Sequence, residues 1–145
     1  MTTQENKAIV RRYFEEVLSG RDIALADDLL AAELDTHGRF PGQRTGREGL
    51  KEVIRSFHGA CPDLDVKIED MLAEGERVAT RWSAEGTVDA DLFGIAPGGQ
   101  ELILGGIVIH RLAEGRIVEQ WAGRDDLSWM GKLGLVHGLP EPHAR

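Results

Sequence analysis

The hydrophobic pattern changes period once, near Pro62, and that change limits the architectures open to the chain more than any other feature. Before it, apolar residues recur every three to four positions. Ala8, Ile9, Val10, Tyr13, Phe14, Val17 and Leu18 form one stripe over 5–18, which predicts an amphipathic helix capped by Thr2 or Thr3 and closed by Gly20. Ala24, Leu25, Leu29 and Leu30 predict a shorter helix from Asp22 or Ile23 to Ala31. Leu34 to Phe40 reads as extended, ending at Pro41-Gly42. Thr45 followed by Gly46-Arg47-Glu48 predicts a third helix, with Leu50, Val53, Ile54 and Phe57 on its buried face and its end near Gly59.

Proline cannot continue that helix, and beyond Pro62 the period becomes two. Leu64 to Leu72, Val78 to Thr87, Glu101 to Leu112 and Ile117 to about Arg124 are rich in Val, Ile, Thr and Trp, which predicts four strands. Leu72-Ala73-Glu74-Gly75 and Leu112-Ala113-Glu114-Gly115 are hairpin turns in which glycine supplies the positive φ, and 89–100, with Pro97-Gly98-Gly99, joins the two hairpins. Helices followed by a strand meander predict an α+β fold: a cone-shaped, curved antiparallel sheet packed against three N-terminal helices, with an open mouth. The 145 residues are one domain's worth, expected to be ordered from about 4 to 136 with a tail over 137–145.

Charge and composition remove several functions. The chain carries 17 Lys and Arg against 25 Asp and Glu, a net charge of -8, and its basic residues are scattered, so no nucleic-acid partner is expected. No apolar run approaches the roughly 20 residues that span a bilayer, and the polar start lacks a secretory core, so a cytoplasmic location is expected. Cys61 is the single cysteine, and none of the five histidines pair at helical ligand spacing, so no metal is expected. Gly98-Gly99 and Gly105-Gly106 fit neither phosphate-binding glycine pattern, so no nucleotide cofactor is expected.

Alternation along the last strand places Ile117, Glu119, Trp121, Gly123 and Asp125 on one face. Trp121 suits an apolar lining, which makes this the expected inner face and puts Asp125 at its end, partly desolvated and suited to general base work. The other reading has Asp125-Asp126 capping the helical turn that starts at Leu127. His110 depends on the turn at Glu114-Gly115. A two-residue loop sets His110 opposite Glu119 and inside, whereas a three-residue loop with a glycine bulge turns it out and brings Ile109 and Arg111 in. Phe14, Trp82 and Trp129 are of residue types that serve either a core or a substrate lining, and His37, on the extended segment, is a further lining candidate beside Arg111.

The order of these signals carries a resemblance over most of the chain. His37, Pro41-Gly42, Gly46-Arg47-Glu48-Gly49, Pro62-Asp63-Leu64, the run Ala73 to Val78, Phe93-Gly94-Ile95 and Pro97 follow one another, and the signal is densest at Gly115-Arg116-Ile117-Val118-Glu119-Gln120-Trp121, with Asp125 four residues later and Leu133-Gly134 closing. This order resembles the SnoaL-like polyketide cyclases of the nuclear transport factor 2-like superfamily. The resemblance implies a cofactor-free enzyme acting on a hydrophobic, polyketide-like small molecule and pairing as a homodimer through the outer face of its sheet. It places the family's catalytic aspartate on Asp125, as acid and base in an intramolecular aldol condensation, with Trp121, His110 and Arg111 lining the site or polarising a carbonyl. The chain departs from the family pattern at Lys132, where a glutamine is expected, at Trp129, where a small aliphatic residue is expected, and over 87–91, which lacks a histidine-glycine pair. These departures surround the expected mouth and keep two other functions open. One is epoxide hydrolysis or double-bond isomerisation, with Asp125, Glu119 and Arg81 or Arg111 around a water. The other is non-catalytic ligand binding by a dimer.

Overall fold

The structure, a computed structural model, describes residues 1–134, so the expected tail over 137–145 lies outside the described residues. The first helix forms in two parts. Helix α1 (Thr3–Arg12) begins with a capping box: the Thr2 hydroxyl accepts from the Glu5 amide at 3.0 Å, and the Glu5 carboxylate accepts from the Thr2 amide at 3.2 Å. Over Tyr13–Ser19 the helix widens into π turns. Wider turns rotate consecutive residues less far about the axis, so Tyr13 and Phe14 both face inward and are buried.

The second expected helix is shorter than its stripe. A 3-10 turn (Ile23–Leu25), capped by the Asp22 carboxylate, leads into one turn of α2 (Ala26–Leu29), and at Leu30 the backbone becomes extended. Strand β1 (Leu30–His37) therefore starts four residues before the expected Leu34, because Leu30 and Leu34 bury fully as strand residues beside the sheet. Helix α3 (Gly46–Ala60) forms as expected, as do β2 (Asp65–Glu74), β3 (Arg77–Val88), β4 (Gln100–Ala113) and β5 (Arg116–Arg124), and a short α4 (Asp126–Lys132) closes the described chain.

The strands form one curved sheet in the order β1-β5-β4-β3-β2. The meander from β2 to β5 is antiparallel, but β1 pairs with β5 in parallel, so the sheet is mixed where a wholly antiparallel one was expected. Parallel neighbours need a long connection, and here it comprises α3 and the whole meander. One register detail decides the site. The β4–β5 turn is the two-residue form, pairing Ala113 with Arg116 and Leu112 with Ile117, but the next pair is Arg111 with Glu119. Val118 is thus an extra residue, a β-bulge, and side chains beyond it change faces.

The inner face of the sheet packs against the helices in two apolar clusters. One gathers α1, the π segment, α2 and β1 around Phe14, Leu30, Leu34 and Ile117. The other surrounds Phe57, Leu92, Leu102 and Trp129. The outer face leaves Leu72, Ile103, Ile107 and Ile109 exposed.

Candidate functional site

Between the two clusters lies a cavity of about 120 Å3, bounded by the π segment, α3 and the inner faces of β2 to β5. That is room for far more than one water, which on this measure needs roughly 10–15 Å3. Its walls are apolar, with Phe14, Ile54, Phe57, Trp82 and Val108 among them. The polar groups reaching it are few: Tyr13, His58, His110, Gln120 and Arg124.

His110 sits deep on β4, 1% exposed. Its Nε2 lies 3.2 Å from Gln120 Oε1 on β5, and its ring stands edge-on to Tyr13 and Phe14 at 5.6 and 6.2 Å. With the amide oxygen accepting, Nε2 carries the proton and Nδ1 keeps a lone pair, and Nδ1 has no partner among the described residues. Burial pushes the His110 pKa down to about 4, against a smaller opposing effect of the Gln120 hydrogen bond, so the ring is neutral near pH 7. Burial likewise raises the Tyr13 phenol, which stays protonated. His58 is half-buried, its pKa lowered by burial, and its Nε2 lies 2.7 Å from the Leu18 carbonyl.

At the other end of the polar set is Arg124, the last residue of β5. Its guanidinium stacks over Phe40 at 3.7 Å and donates through Nε and Nη2 to the two Asp126 oxygens at 3.1 and 3.2 Å. Asp126 also accepts from the Trp129 indole at 2.9 Å. This network ties α4 to the end of the sheet.

Of the residues singled out from the sequence, Phe14, Trp82 and His110 line the cavity. Trp129 does not. It is buried in the core beside Phe40 and Phe57, where its indole holds Asp126. Trp121 lies on the outer face, because the Val118 bulge reverses the expected alternation of β5 and turns Gln120, Ala122 and Arg124 inward instead. Arg111, on β4, faces out as the two-residue turn implies, and His37 on β1 stands beside Trp121 across the parallel pairing. Out there His37 stacks on Trp121 at 5.4 Å and Arg77 covers the same indole at 5.4 Å. Glu119 takes 2.9 Å and 3.0 Å contacts from His37 and Arg111, and these, His37 first, hold its carboxyl below the usual range.

Asp35 joins this outer group. Ligand atoms of Asp35, His37 and Glu119 lie within 4.8 Å of one another, a proximity invisible in their spacing along the chain. Arg111 already occupies one Glu119 oxygen, which accounts for the cluster as an ion-pair network.

Asp125 follows the same reversal. It is exposed at the junction of β5 and α4 and is not among the cavity's lining residues, contrary to the inward position expected for it. Nor does its side chain cap α4, although it stands at the N-cap position. Its backbone amide donates to the Gly105 carbonyl at 3.1 Å, and its carboxylate makes no hydrogen bond among the described residues. Reasoning from alternation therefore missed Gln120 and Arg124, and it left Tyr13 unassigned within the first helix stripe. The signal available for Gln120 was a neutral amide directly following Glu119 on the strand.

Comparison with known proteins agrees with this architecture. TsrD from Streptomyces laurentii has the same fold, with a TM-score of 0.81 at 21% identity over 94% of this chain and 99% of that one. IdmH from Streptomyces antibioticus, a proposed polyketide cyclase, is 26% identical with a TM-score of 0.74 over 89% of this chain and 98% of its own. AclR from Streptomyces galilaeus, a proposed hydroxylase, is 19% identical with a TM-score of 0.81 over 97% and 87% of the two chains. No curated protein sequence matches the chain. The sequence model of the SnoaL-like polyketide cyclases matches residues 8–133, nearly all of the described fold and both ends of the cavity, and the chain belongs to that family.

Proposed function

We propose that the protein closes a ring in a polyketide-like intermediate by intramolecular aldol condensation inside the apolar cavity, with His110 as the acid and base. The observation that carries this is a neutral, buried imidazole whose Nδ1 has no partner among the described residues, in a cavity walled mostly by apolar side chains. A pKa of about 4 puts His110 in the range of an ordinary carboxylate as a base. Nδ1 takes a proton from a methylene between two carbonyls, and the resulting enolate carbon attacks a second carbonyl of the same chain. The imidazolium then returns the proton to the new alkoxide, so no proton is gained or lost. The imidazolium and enolate attract one another strongly in a water-poor cavity, and Gln120 keeps the ring oriented throughout. The flat apolar walls hold the folded conformer in which the two carbons meet.

A second reading keeps the reaction and moves the proton transfer to Asp125, as the family resemblance implies. Its support is position: Asp125 directly follows the cavity-lining Arg124, and its carboxylate is unengaged among the described residues. It would serve a substrate whose reacting carbon protrudes from the mouth. Ring closure of a poly-β-ketone followed by chromatography and NMR separates the two. His110→Gln should lose on the order of 100-fold or more in turnover and Asp125→Asn only a few-fold. The reverse pattern transfers the role to Asp125, full activity in both variants removes it from both residues, and absence of ring closure by the unmutated protein leaves ligand binding alone.

Pairing of two copies through the outer sheet face, where Ile103 and Ile107 stand 49% and 55% exposed, belongs to the same proposal, as does work in the cytoplasm on secondary metabolites such as antibiotics. Among the described residues no helix is long and apolar enough to cross a membrane.

A further inference from the structure

Arg124 is the one cationic side chain among the described residues lining the cavity. Its pairing with Asp126 ties α4 to the sheet through Nε and Nη2 only, and ring closure leaves it without a role. Its side chain is 6% exposed. Taking a guanidinium out of water costs several kcal/mol, and an apolar residue at the end of β5 would close the wall without that cost. The charge is nonetheless present, and it is held still. Phe40 fixes the plane of the guanidinium, and Asp126 occupies Nε and Nη2. Asp126 is itself held by the Trp129 indole, so it is not free to swing across the rest of the guanidinium. Nη1 is left without a partner among the described residues, and its two hydrogens remain to be given.

We propose that Arg124 is an anion-binding residue of this cavity, selecting ligands that combine a flat apolar body with an ionised carboxylate over the same ligands in neutral form. The carboxylate accepts from Nη1, and the body lies along Phe14, Trp82 and Val108. A guanidinium oriented before the ligand arrives loses little entropy on binding, and a charge-assisted hydrogen bond in a water-poor site is stronger than one in water. Under the function proposed above, the substrate is then a free acid and not its ester or amide. Asp126 restrains the preference, because it already neutralises part of the charge the ligand would use.

This inference rests on the cavity being the ligand site but not on ring closure, so it is tested by binding without turnover. Calorimetric titrations with 2-naphthoate and 2-naphthamide, at pH 8 and one fixed salt concentration, should give a Kd about tenfold lower for the acid in the wild type. Arg124→Met should bring the two ligands to within about twofold, weakening the acid far more than the amide. Asp126→Asn should widen the preference further, since it removes the competing carboxylate, whereas an ion pair with a purely structural role would show no such gain. Should Arg124→Met lose α4 or the fold by circular dichroism, Asp126→Asn decides alone. Equal affinities in the wild type, a preference surviving Arg124→Met, or a preference unchanged or narrowed in Asp126→Asn would each overturn the proposal. Failure of both probes to bind the wild type would overturn it together with the cavity as ligand site, whereas a cavity that binds acids without closing rings would overturn the cyclase reading alone.

Discussion

Acid should destabilise this protein through His110, by an amount the structure sets. Burial holds the folded-state pKa at about 4 against 6.5 for the free ring. Between these values the unfolded chain binds a proton that the folded chain excludes, so stability falls as the pH is lowered. The contribution is intact above about pH 6.5, declines below it and levels out under about pH 4. The full shift corresponds to about 3 kcal/mol, of which about 2 kcal/mol is lost by pH 5. His110→Gln keeps a polar group opposite Gln120 and cannot titrate. Urea unfolding of both proteins at pH 7 and pH 5 isolates the effect, because His58 and the carboxylates titrate in both. The wild type should lose about 2 kcal/mol more than the variant between the two pH values, with unchanged m-values. Equal losses would refute the argument, and so would an imidazole NMR titration placing His110 near 6.5.

Two further outcomes follow from the register and the close contacts. Trp121→Leu, on the outer face, should leave naphthoate affinity within about twofold, whereas Trp82→Leu should weaken it several-fold, and the opposite order in calorimetry would put the strand faces the other way. Gly49→Ala, although in a helix where alanine is ordinarily favoured by about 1 kcal/mol, should destabilise by about 1–3 kcal/mol, because a Cβ there would lie 1.8 Å from the Arg44 carbonyl oxygen; thermal unfolding measures it, and a raised Tm would refute it.

Much of the fold is legible along the chain because local periodicity and burial agree. The stripes of α1 and α3 and the two-residue period of β2 to β5 each mark a single buried face, and the glycine turns punctuate them where the structure turns. What alternation and stripes do not reveal is how far an element runs when its last residues satisfy two patterns. Leu30 lies on the helical stripe with Leu29 and equally on the strand row with Leu34, and only Ile117 across the sheet decides for the strand. The parallel pairing of β1 with β5 is likewise a contact between segments some eighty residues apart, which no local pattern encodes. The π turns at Tyr13–Ser19 belong to the same class, since adjacent Tyr13 and Phe14 are both called inward by a cavity formed from distant strands.

The site was harder to read, for one physical reason. His110 precedes the bulge and faces inward as the two-residue turn implies, whereas Trp121 and Asp125 follow it and both lose the inner position expected of them. Val118 is an ordinary strand residue, so the insertion leaves no mark in composition. Energetics nonetheless favours it. Without the bulge, Glu119 would stand opposite His110 in an apolar interior, and an ionised carboxylate there costs several kcal/mol even beside one partner. With it, Glu119 meets Arg111 and His37 on the outside, and the neutral Gln120 faces the imidazole at 3.2 Å. A strand whose alternation would bury a charge, and whose next residue is that charge's neutral amide relative, should be expected to bulge. The same step that keeps Glu119 out brings Arg124 in, so the exchange leaves one charge in the cavity wall: a cation, partly matched by Asp126 and held in a fixed orientation. Had the aim of the bulge been an uncharged interior alone, a hydrophobic residue at position 124 would have completed it, and its absence is what gives Arg124 its functional reading.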